Sequence, residues 1–175
     1  MRARGSLQSA RLSGANISPC NRYRFRLWRF WGNRSNLALF IMLNPSTADA
    51  LLDDPTIRRC IGFARAWEHG GVEVVNLFAW RVTHPDLLEP ARRAGNDIVG
   101  PQNDEVILAA ARRARRVIVA WGAHAAARER GPRALVALVR AAIPMHHLGL
   151  NGDGSPKHPL YLSKATTPEP FRVRT

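Results

Sequence analysis

Cysteine, lysine and acidic residues are all scarce in this chain. Of its 175 residues only Cys20 and Cys60 are cysteine, which excludes a disulfide scaffold and any all-cysteine zinc or iron–sulfur site. So few thiols fit a reducing compartment. Glycine-rich phosphate loops are missing, both GxGxxG and GxxxxGK[ST]. HExxH and HxE…PCxxC are missing as well, which removes metalloprotease and zinc-deaminase chemistry. No GxSxG nucleophile elbow occurs. The longest apolar run, residues 37–43, is far too short to span a bilayer. The basic N-terminus lacks the apolar stretch of a secretory signal. The expectation is a soluble, cytoplasmic protein with no membrane contact, metal or cofactor.

What is abundant is arginine. Basic residues number 26 against 13 acidic ones, a formal charge of +13. Lys157 and Lys164 are the only lysines, and the first acid is Asp49. The sequence pI of about 11.5 fits a polyanionic partner such as nucleic acid. The competing reading is a basic protein whose arginines reflect a GC-rich genome. The composition, 46% hydrophobic and 22% charged, suffices for one globular domain with a core of its own, expected as a monomer.

Residues 1–20 hold Ser, Gly and Arg without periodicity and read as a flexible basic arm; residues 21–175 read as a single α/β domain. Tyr23, Phe25 and Leu27 alternate with Arg22, Arg24 and Arg26, the pattern of a strand with one basic face. Residues 37–43 read as a buried strand. Asp54-Pro55 opens a helix that Gly70-Gly71 ends. Further strands are expected over residues 72–77, 117–121 and 145–150, with a short last one at 160–162. Further helices are expected from Pro101 to about Ala114 and over residues 132–142. Strands alternating with helices imply a three-layer α/β/α fold around a central, mainly parallel sheet. Ligands of such sheets bind beyond the carboxyl ends of the strands.

That rule selects the candidates. Asn44, with Pro45 holding it extended and Ser46 following, ends the apolar strand and suits a bound water or carbonyl. Asn76 closes the next strand, and its amide suits the edge of a base. His158 can donate to a developing oxyanion. Asp49 lies in the same loop as Asn44 and is a candidate base or water-orienting group, whereas Asp54 reads as the helix cap. Phe78 is a candidate for stacking on a base.

The strings MLNPSTAD (42–49), DPTIRRCIGFAR (54–65), EVVNLFAWR (73–81), GPQND (100–104), VAWGAH (119–124) and LGLNGDGSPKHPLYL (148–162) resemble the family called domain of unknown function 1643. The order of motifs also resembles the uracil-DNA glycosylase superfamily. Met42-Leu43-Asn44-Pro45-Ser46 is similar to its GINPG motif, Val74-Val75-Asn76 to a strand ending LLLN, Ala120-Trp121-Gly122 to a strand ending LG, and the run from His158 to Ser163 to HPSPLS. Met42 and Ser46 replace both glycines of the first motif, and Leu160 replaces a serine of the last. The resemblance implies a uracil-DNA glycosylase-like fold and a DNA glycosylase that flips and excises a deaminated or modified base. On that resemblance Asn44, His158 and Asp49 are catalytic: Asn44 positions water and His158 stabilises the leaving base. Pro45, Ser46, Asn76, Phe78 and Tyr161 bind substrate, Tyr161 near the DNA-penetrating wedge. The alternatives are a non-catalytic nucleic-acid or nucleotide-binding module on the same fold, and a small-molecule enzyme.

Overall fold

The computed structural model describes residues 12–172. Its strands are β1 (Leu12–Ile17), β2 (Arg24–Phe30), β3 (Leu37–Met42), β4 (Gly71–Asn76), β5 (Arg116–Val119), β6 (Met145–His147) and β7 (Glu169–Pro170). The α-helices are α1 (Pro55–Ala66), α2 (Leu88–Arg93), α3 (Asn103–Arg113) and α4 (Ala127–Arg140). The strands form one sheet in the order β1-β2-β4-β3-β5-β6-β7.

β3 lies at the centre, parallel to both β4 and β5. Its run of apolar side chains is buried on both faces because helices cover both. Leu39 and Ile41 join the cluster containing Ile107, Ala110 and Leu138 of α3 and α4. Ala38, Phe40 and Met42 point the other way, into Ile57, Cys60 and Phe63 of α1. Two apolar layers thus flank the sheet, and the α/β expectation holds.

The sheet is mixed rather than mainly parallel. β4-β3-β5-β6 run parallel, but β1–β2, β2–β4 and β6–β7 are antiparallel. The cause is the N-terminal hairpin: β2 returns alongside β4 with Leu27 opposite Val74. β1 itself falls within the stretch read as a flexible arm. Residues 12–17 pair along β2, and Gly14 lies against the Trp28 indole, where a Cβ would come within 2.1 Å. The arm's first eleven residues lie outside the described ones.

Local chemistry explains the helix ends. Asp54 caps α1 by accepting from the Ile57 N–H at 2.8 Å, and Pro55 follows at the first position. The helix stops at Ala66, before the two glycines, with Glu68 in the left-handed region. Gly70 serves a different end: a Cβ there would strike the Asn33 backbone at 2.2 Å. α3 begins at Asn103 after Gln102 in the left-handed region, with Asp104 and Glu105 in its first turn, and the Asn103 amide ties that end to the Asn76 and Leu77 carbonyls at the end of β4. α4 starts earlier than expected and contains Pro132. Residues 145–150 yield only the three-residue β6, and residues expected as a final strand form the 3-10 turn Pro159–Tyr161.

Glu73 of β4 is 2% exposed and pairs with Arg26 and Arg113, whose side chains are about one-third exposed. Glu73→Gln removes the shared anion, and the arginines rehydrate in part. The expected cost is about 2 kcal/mol, below the full cost of breaking a wholly buried pair, and a urea unfolding series reads it. No helix among the described residues is long and apolar enough to cross a membrane.

Candidate functional site

The parallel strands β3, β4 and β5 end at one edge, and a cavity of about 480 Å³ opens there. Asn44 reaches it from the end of β3, Asn76 from β4, and Gly122 from the turn after β5. The C-terminal segment folds back to the same edge: Gly122 donates its N–H to the Pro156 carbonyl at 2.9 Å, and His158 follows. Asp54, at the start of α1, also lines the cavity.

Each polar group is oriented by its neighbours. Asn44 Nδ2 donates to the carbonyls of Pro45 (3.1 Å) and Val82 (2.9 Å), which leaves Oδ1 as the acceptor it offers a ligand or water. Asn76 is buried, and its Oδ1 accepts from Arg24 at 3.4 Å. A guanidinium has only hydrogens to give, so Arg24 sets the amide with Nδ2 as the donor left over. His158 Nδ1 accepts from the Leu160 N–H at 3.3 Å, which places the ring hydrogen on Nε2. Burial pushes the His158 imidazolium down from the ordinary histidine value, against a smaller opposing pull from Asp54. The ring is therefore a neutral Nε2–H donor at neutral pH.

His69 and His146 are lowered too, both chiefly by burial, with Arg116 adding to it. Below the ordinary histidine value of 6.5 these three bind fewer protons folded than unfolded. Their contribution to stability is full above that value and is lost as pH falls through the lowered folded values. Melts from neutral pH down to about pH 5 should show a falling Tm, and replacing His69 by Gln should flatten the slope.

Not every candidate reaches the cavity. Ser46 and Tyr161 line it, the latter 91% exposed at its rim. Pro45 is buried behind it, its carbonyl accepting from Asn44 and from the Val82 N–H, so it shapes the loop rather than touching a ligand. Phe78 is 5% exposed and packs in the core on the α3–α4 side, away from this cavity's lining. Asp49 is also displaced: its Oδ1 accepts from the Leu51 and Leu52 N–H groups, and those bonds hold its carboxyl below the usual range. It closes a turn in the loop, and Asp54 is the carboxylate at the cavity.

Arg24 is the residue that pattern reading missed. β2 is antiparallel to β4, so its amino end lies where β4 has its carboxyl end. The side chain that begins β2 therefore lines the cavity, 2% exposed, with Nη1 donating to the Ala48 carbonyl at 2.7 Å. Burial pushes its guanidinium down to about 10, so it stays charged at neutral pH. The expected basic face of β2 is in fact partly interior, since Arg24 is buried and Arg26 is half-buried against Glu73; Arg29, outside that face, is fully buried too.

Fold and cavity together define a three-layer α/β protein with a donor-lined pocket at the carboxyl edge of its parallel strands. More particularly, the chain belongs to the family described as protein of unknown function (DUF1643), whose model matches residues 24–160. No curated protein and no solved structure matches it.

Proposed function

We propose that the protein is a DNA glycosylase-like hydrolase that excises a flipped base in this pocket. The observation that carries the reading is the convergence of Asn44, Asn76 and His158, each oriented for a distinct task. Asn44 Oδ1 accepts a hydrogen from water and aims its oxygen at the sugar carbon. Asn76 Nδ2 donates to an acceptor on the base edge. His158 Nε2–H faces the oxygen on which negative charge grows as the base leaves. Water adds to the anomeric carbon while the carbon–nitrogen bond breaks. The bonding pair departs with the base, and the proton shed by water ends on that base.

Asp54 is suited to carry that proton or to steady the positive charge on the sugar. The cavity volume is in the range of small-ligand sites and accommodates an extruded base. The formal charge of +13 supplies affinity for the phosphate backbone. Tyr161, with exposed Leu51 and Leu52 on the Asn44 loop, offers apolar groups to the gap a flipped base leaves. On this reading the fold is of the uracil-DNA glycosylase kind, and the protein acts on DNA as a monomer.

One observation favours a second reading, a non-catalytic reader of nucleic acid: Asp49 is committed to the loop and Asp54 caps α1. Alkali-labile abasic sites in duplexes carrying uracil, hypoxanthine, 5-hydroxymethyluracil or another modified base, a ring-carboxylated pyrimidine included, separate the two. The hydrolase makes them, and the reader binds with steep salt dependence and makes none.

A further inference from the structure

Among the described residues three arginines are buried: Arg24, Arg29 and Arg130. Two of them have carboxylate partners, Arg29 with Asp53 and Arg130 with Asp104. Arg24 has none. Its two bonds go to the neutral oxygens of Ala48 and Asn76, its Nε is buried without a partner, and it is the one that lines the cavity. Removing a guanidinium from water is costly unless an anion meets it. A chain that supplies carboxylates to the other two leaves this position for something from outside.

The surroundings describe that visitor. Arg24 and the amide it orients, with Asn76 Nδ2 left as a donor, sit side by side in the cavity lining, and His158 lines the same cavity from its place beside Gly122. The first turn of α1, Pro55 to Ile57, brings the positive end of a twelve-residue helix to the same space. Met42, Ile57 and Trp121 supply apolar wall. The one hydrogen left on each of Arg24 Nη1 and Nη2, beside these apolar walls, matches a planar acceptor pair on a ring. Asp54 is the opposing element: its carboxylate favours the charged form of Arg24 and weakens the hold on any anion.

We infer that the pocket is built to seat a planar anion, a carboxylate carried on an aromatic or heteroaromatic ring, with its charged end on Arg24. This rests on the reading of the cavity as the base site and narrows it: the excised base bears a carboxylate or an equally placed oxyanion, rather than being a neutral pyrimidine.

The test uses benzoate and benzamide, which share a shape and differ in charge, with binding followed by ligand-observed NMR on the whole protein. Benzoate binds the wild-type protein at least about tenfold more tightly than benzamide, the scale of a charge-assisted hydrogen bond. Arg24→Gln risks the fold, so the informative variant is Asn76→Asp. It sets a carboxylate beside Arg24, gives the guanidinium an internal partner, and removes the benzoate preference while circular dichroism and Tm show a folded protein. Asp54→Asn keeps a competent helix cap and tightens benzoate severalfold. Equal binding of the two probes, binding of neither, or a benzoate preference that survives in Asn76→Asp overturns the inference. No DNA enters the experiment. A benzoate preference without any base release therefore keeps the anion site and removes the hydrolase, and release of a neutral base with no benzoate preference does the reverse.

Discussion

Asn44→Ala and His158→Ala should each slow base release by about a hundredfold or more, the scale of losing one oriented group at a transition state. On the proposed reading DNA affinity should hold within a few-fold, since the formal charge of +13 that would draw the phosphate backbone lies outside these two residues. On that reading Asn44 acts through its Oδ1, which the Nδ2 bonds to Pro45 and Val82 keep directed. Asn44→Asp retains that oxygen, loses both donors and lets the loop drift, so it should recover only part of the rate. His158 has a signature in pH. Its neutral ring accepts from Leu160 on Nδ1 and donates from Nε2. Protonation at Nδ1 breaks the Leu160 bond. Because burial lowers the imidazolium, the rate should stay level through the ordinary histidine value and fall only at lower pH. Single-turnover kinetics across that range measures it, and a mid-point at the ordinary value would contradict the neutral-donor role.

The largest stability effect belongs to Arg29. Fully buried, it donates from Nη1 to the carbonyls of Gly14 and Trp28, from Nη2 to those of Asp49 and Leu52, and from Nε to Asp53. One side chain thereby ties β1 and the 49–53 loop to β2. Arg29→Met conserves volume and apolar packing but strips donors from these oxygens and the contact from Asp53. The expected loss is about 4 kcal/mol, the cost of removing one member of a buried charge network, and about 10 °C in Tm for a domain of this size. The damage extends to the pocket, because the loop carries Asn44 at one end and Asp54 at the other. Arg29→Lys should recover under half of the loss, since an ammonium cannot span five oxygens. Denaturant titration with a pocket-ligand assay separates global from local effects.

The legible parts of this fold were those fixed by neighbours in sequence. The apolar run of β3, the Asp54-Pro55 start of α1 and the amides that end β3 and β4 follow from periodicity and capping chemistry a few residues long. The edge rule then brought Asn44, Asn76 and His158 to one cavity. What stayed hidden depends on partners far along the chain. Arg24 meets Ala48 and Asn76, 24 and 52 positions away, and no local pattern distinguishes it from solvated Arg22. β1 carries Gly14 and Asn16, so pairing with β2 rather than propensity makes it a strand. Asp49 and Asp54 sit in one loop with equal chemistry, and spacing alone does not say which faces inward. The available signal was the cap itself, because a helix that starts after a sheet edge holds its capping carboxylate at that edge.

The most direct measurement is mass spectrometry of free base released from genomic and phage DNA, with Asn44→Ala run beside the wild-type protein. The account predicts a base that appears with the wild type and is lost in the variant, and its mass then names the substrate. No free base from any of these DNAs, with salt-sensitive binding intact, would contradict the hydrolase and leave a protein that reads nucleic acid without cutting it.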